Sequence, residues 1–387
     1  METQKILSRD FLLCFFAQFA FAFVFCILIP TFPIYLSSKG SSNAEIGLLI
    51  GIFSVASLLL RPFVGRWLLR IPERKFMVSG AILYIFSAFA YLFANPFWPL
   101  FVARIFHGIG LAFFSTSVFT LIANISPVAR RGQSLGYFHL SINIAFVLAP
   151  YLGMLLINQF SFTVLFLVCA GLSLCAFFIT LRLTPRQVVS PDHPAPSKQS
   201  FLSREALPPS IMAFMVNIIW GALMAFFPLY AVGQGVSNPG LFFGVVAIIH
   251  VIGRGLGARI FDLYSREKLI FPCLIAYIIS MSILAFSRTL PMFILVAVIW
   301  GLGNTFLYPT LMAYTLDRVR SSPGPAMATF TAIADLGAGM GSVIMGIVLQ
   351  FTNYPTMFLC LTLTSFINLL YFYTLTRKKG GHQHADL

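Results

Sequence analysis

Two ionisable side chains lie deep inside apolar runs of this sequence, and they define the chemistry to look for. Arg104 sits in a stretch with no other full charge between Lys75 and Arg130. A guanidinium at that depth in hydrocarbon costs roughly 2.5–3.5 kcal/mol on insertion scales, so it needs compensation from a water-filled cavity, an anionic ligand group or backbone carbonyls. Asp335, in TAIADLGAGMGS, is the one carboxylate well inside an apolar run. Low dielectric penalises its charged form, which makes it a first candidate for proton exchange; an interhelical hydrogen bond or salt bridge is the alternative. His107 follows Arg104 by three residues and shares its helix face. His139 and Asn143, at i and i+4, share another face, either as interhelical hydrogen-bond partners or as cavity-lining groups.

The elements that must position these groups are membrane spans. The chain is 59% hydrophobic and 9% charged, far from the roughly 25% charged residues of soluble domains. A layer about 30 Å thick needs about 20 apolar residues per helix. Twelve such spans are expected, at 11–36, 45–68, 76–94, 98–122, 133–158 and 161–183, then 208–233, 240–261, 269–287, 290–315, 325–350 and 354–376. The expected fold is an all-α membrane protein of two six-helix bundles, residues 1–184 and 207–387, joined by a Pro- and Ser-rich cytoplasmic linker at 185–206. The apolar stretch after METQKILSRD is too long for a signal-peptide core and is read as a retained first span.

The formal charge of +14 does not point to nucleic acid, because the chain offers little water-facing surface. It reports topology instead. With the N-terminus inside, 22 of the 25 Lys and Arg residues fall on the cytoplasmic side, against Lys39 and Arg288 outside and Arg104 within a span. Both termini are therefore expected to be cytoplasmic. The six cysteines fall in apolar runs without metal-ligand spacing and read as small core residues.

The halves are repeats. At an offset of 193 residues Gly51 meets Gly244, Arg61 meets Arg254, Arg66 meets Arg259, Tyr84 meets Tyr277, Ser87 meets Ser280, and Gly108 and Gly110 meet Gly301 and Gly303. At an offset of 195, Pro33, Tyr35 and Gly40 meet Pro228, Tyr230 and Gly235. Parallel repeats of this kind imply a pseudo-twofold axis along the membrane normal and a ligand site at their junction.

Six plus six spans with a basic loop after spans 2 and 8 resemble the major facilitator superfamily, and three motifs carry the resemblance. RPFVGRWLLRIPERK is similar to the loop motif Gly-x-x-x-Asp-Arg-x-Gly-Arg-Arg, with Gly65, Arg66, Arg70, Arg74 and Lys75 in the motif region, Leu69 at the Asp position and Pro72 at a Gly position. The second-half counterpart, ARIFDLYSREK, keeps the acid as Asp262. Arg104-x-x-x-Gly108-x-Gly110 resembles the family's span 4 motif, whose arginine is linked to proton coupling, with His107 where a Gln is frequent, so the resemblance makes Arg104 and His107 proton-coupling candidates beside Asp335. Gly136, Ala145, Ala149, Pro150 and Gly153 resemble the antiporter signature of span 5. The resemblance implies gating by the loop, proton antiport, and a cavity built from spans 1, 4, 7 and 10. Its candidate lining from those spans is Gln18, Arg104, His107, Asn217, Trp220, Asn304 and Tyr308, with His139 and Asn143 of span 5 as further candidates.

The same residues also have plainer roles. Small residues and Pro150 in span 5 permit close helix packing and a bend, and basic loops contact lipid headgroups. The chain has no GxxxxGK[ST], no HExxH and no nucleophile elbow, so neither an enzyme nor an ATP-driven pump is expected, nor any metal or cofactor. The expected function is a monomeric secondary transporter of the bacterial inner membrane. It would work by alternating access, with protons and a small amphipathic substrate as partners. A symporter or facilitator for a metabolite or anion, or a non-transporting sensor or assembly factor, are the alternatives.

Overall fold

The computed structural model describes residues 7–93, 97–127, 130–185, 203–318 and 323–383, with backbone alone for 131–132, 254–263, 323–325 and 378–383. Most of the linker, and the Arg254, Arg259 and Asp262 side chains, lie outside this set. Every long element is a helix, as hydrocarbon requires, because a helix satisfies its backbone N–H and C=O groups internally.

Among the described residues, six helices precede position 186: α1 (Arg9–Ser38), α2 (Asn43–Trp67), α3 (Glu73–Phe93), α4 (Phe97–Ile125), α5 (Arg131–Gln159) and α6 (Phe162–Leu181). After it, a short 3-10 turn at Arg204–Ala206 leads into α7 (Leu207–Gly233), α8 (Gly240–Leu263), α9 (Arg266–Phe286), α10 (Leu290–Arg318), α11 (Pro323–Phe351) and α12 (Tyr354–Gln383). Among the described residues, eleven helices are long and apolar enough to cross a membrane, and Gly240–Gly253 adds a shorter apolar segment. Cys14, Cys26, Cys169 and Cys273 are buried as expected, whereas Cys175 of α6 is exposed and Cys360 is half-buried.

Two compact units emerge, one of Met1–Ser41 and Ile52–Ala195, the other of Ser42–Gly51 and Pro196–Leu387. Ser42 and the first nine residues of α2 thus group with the second unit. Gly47, Gly51 and Gly346 make this possible: a Cβ on Gly47 would strike the Ser342 carbonyl, and one on Gly346 would lie 2.7 Å from the Asn43 carbonyl. In this second unit Gly337 and Gly341 of α11 also press on the Phe214 and Ile218 carbonyls of α7.

Inside each unit the repeat is visible as shared devices. In the first, the Tyr35 hydroxyl donates to the Tyr91 carbonyl at 2.9 Å; in the second, the Tyr230 hydroxyl donates to the Ser287 carbonyl. Two residues past the ends of α1 and α7 stands a glycine at φ +81°, Gly40 and Gly235, a left-handed turn that a Cβ disfavours. A Cβ on Gly110 would lie 3.1 Å from the Gly80 carbonyl, and one on Gly303 would lie 3.3 Å from the Cys273 carbonyl, so α3–α4 and α9–α10 approach at matching points. Glu45, at the entrance of α2, is a capping residue: its Oε2 accepts from the Ser42 backbone N–H at 2.8 Å, and the Ser42 hydroxyl accepts from the Glu45 N–H at 3.3 Å.

Candidate functional site

In the first unit α4 buries Arg104 and His107, 6% and 2% exposed, on one face. Glycines bring the neighbours close enough to enclose them. A Cβ on Gly108 would strike the Phe53 carbonyl of α2, and one on Gly110 would lie 2.8 Å from the Tyr84 ring of α3. The Arg104 guanidinium consequently lies 4.7 Å from the Phe32 ring centroid and 4.5 Å from that of Phe53. The His107 ring meets Tyr84 edge-on at 4.1 Å and Phe53 at 5.0 Å.

Two groups with N–H or O–H donors face His107 Nδ1: the Tyr91 hydroxyl at 2.8 Å and Arg104 Nη1 at 3.4 Å. This arrangement makes Nδ1 an acceptor and puts the ring proton on Nε2, which is buried without a hydrogen-bond partner. The cation is stabilised by ring quadrupoles and the histidine by a phenol. Such a cluster holds a charge in an apolar interior without exposing it.

Beside it is a cavity of about 400 Å³, wholly within the first unit. α1 lines it with Gln18, Phe21 and Phe25, α2 with Arg61, α4 with Ser115, Thr116 and Phe119, and α5 with Ile142. Gln18 is 4% exposed, and its Oε1 is buried without a partner. Phe21 stacks on Tyr84 with centroids 3.8 Å apart, so one ring of the cavity wall rests on the ring that covers His107. His139 touches Phe119 from behind, at 5.0 Å between rings, and Asn143 is half-buried one turn further along α5. Of the residues expected to line a cavity, Gln18 alone lies on this wall; Arg104 and His107 belong to the adjoining cluster.

In the second unit Asn217, Trp220, Asn304 and Tyr308 each have partners of their own. Asn304 accepts from the Tyr277 hydroxyl at 2.8 Å and donates to His250 Nε2 at 3.2 Å. Trp220 stacks on the fully buried Trp300 at 5.4 Å, Tyr308 packs on Phe330, and the Asn217 amide donates to the Ala213 carbonyl of its own helix. Asp335 is half-buried on α11. It falls one turn before Gly339 on the face that continues to Ser342 and Gly346, away from the Gly337 and Gly341 face that packs on α7.

The motif residues divide the same way. Around the turn from α2 into α3, Arg74 at the start of α3 donates to the Leu181 carbonyl at the end of α6, while Gly65 and Arg66 at the end of α2, Arg70 in the loop and Lys75 in α3 are exposed, and a Cβ on Gly65 would meet nothing. In α5, Ala145, Ala149 and Pro150 are buried, and a Cβ on Gly153 would lie 2.6 Å from the Ile27 side chain of α1. Gly136 is exposed, and a Cβ there would meet open space.

Sequence reasoning passed over Phe32, Phe53, Tyr91 and His250 as site residues. The one available signal was the pairing of Tyr84 with Tyr277 across the repeat, since each of these tyrosines covers the buried ring at a matching position, His107 or Trp300.

Comparison with known proteins identifies the architecture. The sequence matches the family described as Major Facilitator Superfamily over residues 14–324 and 240–386. It is 26% identical to the staphylopine export protein of Staphylococcus aureus, over 86% of this chain and 87% of that one. It is 24% identical to multidrug resistance protein 1 of Bacillus subtilis, over 93% and 94%. The quinolone resistance protein NorA of Staphylococcus aureus is 21% identical over 83% and 84%. Among solved structures, the nucleoside transporter NupG superposes with a TM-score of 0.80 at 14% identity, covering 95% of this chain and 99% of that one. A peptide transporter of the POT family, solved in complex with sulfate, superposes with 0.78 at 14% identity over 95% of each. These structures share the fold. The chain is a multi-pass membrane transporter of small molecules rather than an enzyme, and it belongs to the major facilitator superfamily.

Proposed function

We propose that this protein exports a small amphipathic molecule across the bacterial inner membrane in exchange for protons, by alternating access. The observation that carries the reading is the cavity of the first unit. About 400 Å³ suits one small organic molecule, and its wall of Phe21, Phe25 and Phe119 is interrupted by Gln18, Arg61, Ser115 and Thr116. Aromatic area gives affinity to an apolar body, and the few polar groups orient a polar end. The export direction is supported by the relatives, whose names describe export and drug resistance, and by the antiporter-like packing of α5 on α1 around Gly153.

The proton site in this reading is Asp335. A carboxyl group on α11 that is half-buried can load a proton from one side and release it to the other as its surroundings change. Arg104 and His107 then hold the α4 core in which the substrate cavity is built.

The test is a pH jump in proteoliposomes carrying wild type, Asp335→Asn or Arg104→Ala, assayed with a panel of dyes and small metabolites. Gradient-driven movement in wild type, lost in Asp335→Asn with substrate binding retained, is the expected result. Flux that ignores the imposed pH gradient in wild type overturns antiport. Coupled flux that persists in Asp335→Asn removes the carboxyl from the proton path.

A further inference from the structure

Another pocket, of about 550 Å³, opens in the second unit where α7 and α9 end and α12 begins. Tyr230 and Gln234 line it from the end of α7, Phe286 and Arg288 from the end of α9 and the turn after it, and Asn353 and Tyr354 from the start of α12. These positions fall on the side of the membrane that the charge bias assigns to the outside, where a basic residue runs against that bias. Arg288 is exposed there and forms no ion pair with a described residue. Glu45 is the one acid on that side, and its carboxylate is held by the Ser42 N–H and hydroxyl.

The polar lining is rich in donors. Asn353 Oδ1 accepts from the Thr356 N–H at 3.0 Å and from the Thr356 hydroxyl at 2.9 Å, which fixes the amide and leaves its Nδ2 hydrogens without an acceptor among the described residues. The Tyr354 hydroxyl makes no hydrogen bond with a described residue either, and Gln234 adds an exposed amide. A guanidinium with these donors, and no carboxylate in the lining, suits an anion and gives an ammonium no counter-charge.

The repeat supplies an independent observation. At an offset of 192 residues Ser161 and Phe162 of the first unit stand where Asn353 and Tyr354 stand in the second. Ser161 caps α6 through the Val164 N–H at 3.3 Å, and Phe162 packs on Tyr35 at 5.2 Å, as Tyr354 packs on Tyr230 at 5.2 Å. Capping and ring packing therefore need neither the Asn353 amide nitrogen nor the Tyr354 hydroxyl. Both additions are donors, and both belong to residues bordering the pocket that holds Arg288. Phe286, 66% exposed, gives that pocket an apolar edge beside its cation.

We propose that this pocket binds the headgroup of an anionic phospholipid of the outer leaflet. The phosphodiester oxygens accept from Arg288, Asn353 and Tyr354, and an acyl chain lies along Phe286. Zwitterionic lipids bind less well, because their ammonium finds no carboxylate. The site does not depend on the transport reading.

The experiment is native mass spectrometry of the full chain in detergent, titrated with phosphatidylglycerol, phosphatidylethanolamine or phosphatidylcholine of equal chain length. The tightest phosphatidylglycerol site is expected to be at least about tenfold tighter than that for either zwitterion, the scale of one charge-assisted contact. Arg288→Gln should weaken it about tenfold, and Arg288→Lys should keep the direction of the preference. Asn353→Ser combined with Tyr354→Phe copies the first unit, keeps cap and ring, and should weaken it about threefold to fivefold at an unchanged melting temperature. Lys39→Gln, which removes the other outer cation, should leave it unaltered.

A phosphatidylglycerol site unchanged in Arg288→Gln, or equal affinity for the three lipids, overturns the proposal. Displacement of the lipid from wild type by millimolar inorganic phosphate, absent in Arg288→Gln, would make this a site for the free anion and overturn the lipid assignment.

Discussion

The guanidinium of Arg104 is enclosed by Phe32 and Phe53 and neighbours His107 Nδ1, which also meets the Tyr91 hydroxyl. Each cation–ring contact contributes about 0.5–2 kcal/mol depending on how fully it is desolvated, and both depend on a flat cation. Arg104→Lys keeps the charge and loses the plane. We expect it to cost about 1–3 kcal/mol of stability, read as a lowered melting temperature in lipid, with transport falling in step with the folded fraction. A variant that melts like wild type yet loses gradient-driven transport would instead place Arg104 in proton coupling. The cost of burying this arginine was legible in the sequence, but its partners were not. Phe32, Phe53 and Tyr91 come from three other helices, and with 43 phenylalanines in the chain no spacing distinguishes the two that face the cation.

Helix pairs in this protein meet through glycine, and the structure separates glycines that touch from those that do not. Gly153 faces Ile27 and Thr31 of α1, and Gly341 faces Ile218 of α7, whereas Gly65 and Gly136 face open space. The motif resemblance treats Gly136 and Gly153 alike, because sequence spacing reports which residues are small and not what stands opposite them. Gly153→Val and Gly341→Val are expected to destabilise by about 1–3 kcal/mol, since an overpacked contact must push helices apart. Gly65→Ala and Gly136→Ala are expected to shift stability by less than about 1 kcal/mol, toward greater stability, as alanine is the better helix former. Melting curves of the four variants check this ordering. Transport lost in Gly136→Ala at unchanged stability would assign that position to a conformation in which a neighbour does approach it.

Across the whole chain the repeat is written at two levels. The 193-residue offset was legible in Gly, Tyr and Arg, and it carries contacts whose chemistry has since diverged. Glu73 at the start of α3 accepts from the Asn124 amide of α4 at 2.7 Å, and at the equivalent places Arg266 of α9 pairs with Asp317 of α10 at 3.3 Å. The tie between helix ends is kept while its chemistry changes from an acid–amide hydrogen bond to an ion pair, so identity at those positions vanished and only geometry recovers it. Basic residues concentrate beside these ties, at Arg70, Arg74 and Lys75 and at Arg266 and Lys268. Their bias predicts that both termini and both loops lie in the cytoplasm. A green fluorescent protein fused after Leu387 should therefore fluoresce, because it folds in the cytoplasm. Alkaline phosphatase fused after Lys39 should be active, because it needs the oxidising side of the membrane. A dark C-terminal fusion together with an inactive phosphatase at Lys39 would invert the orientation, and with it the direction in which a proton gradient could drive export.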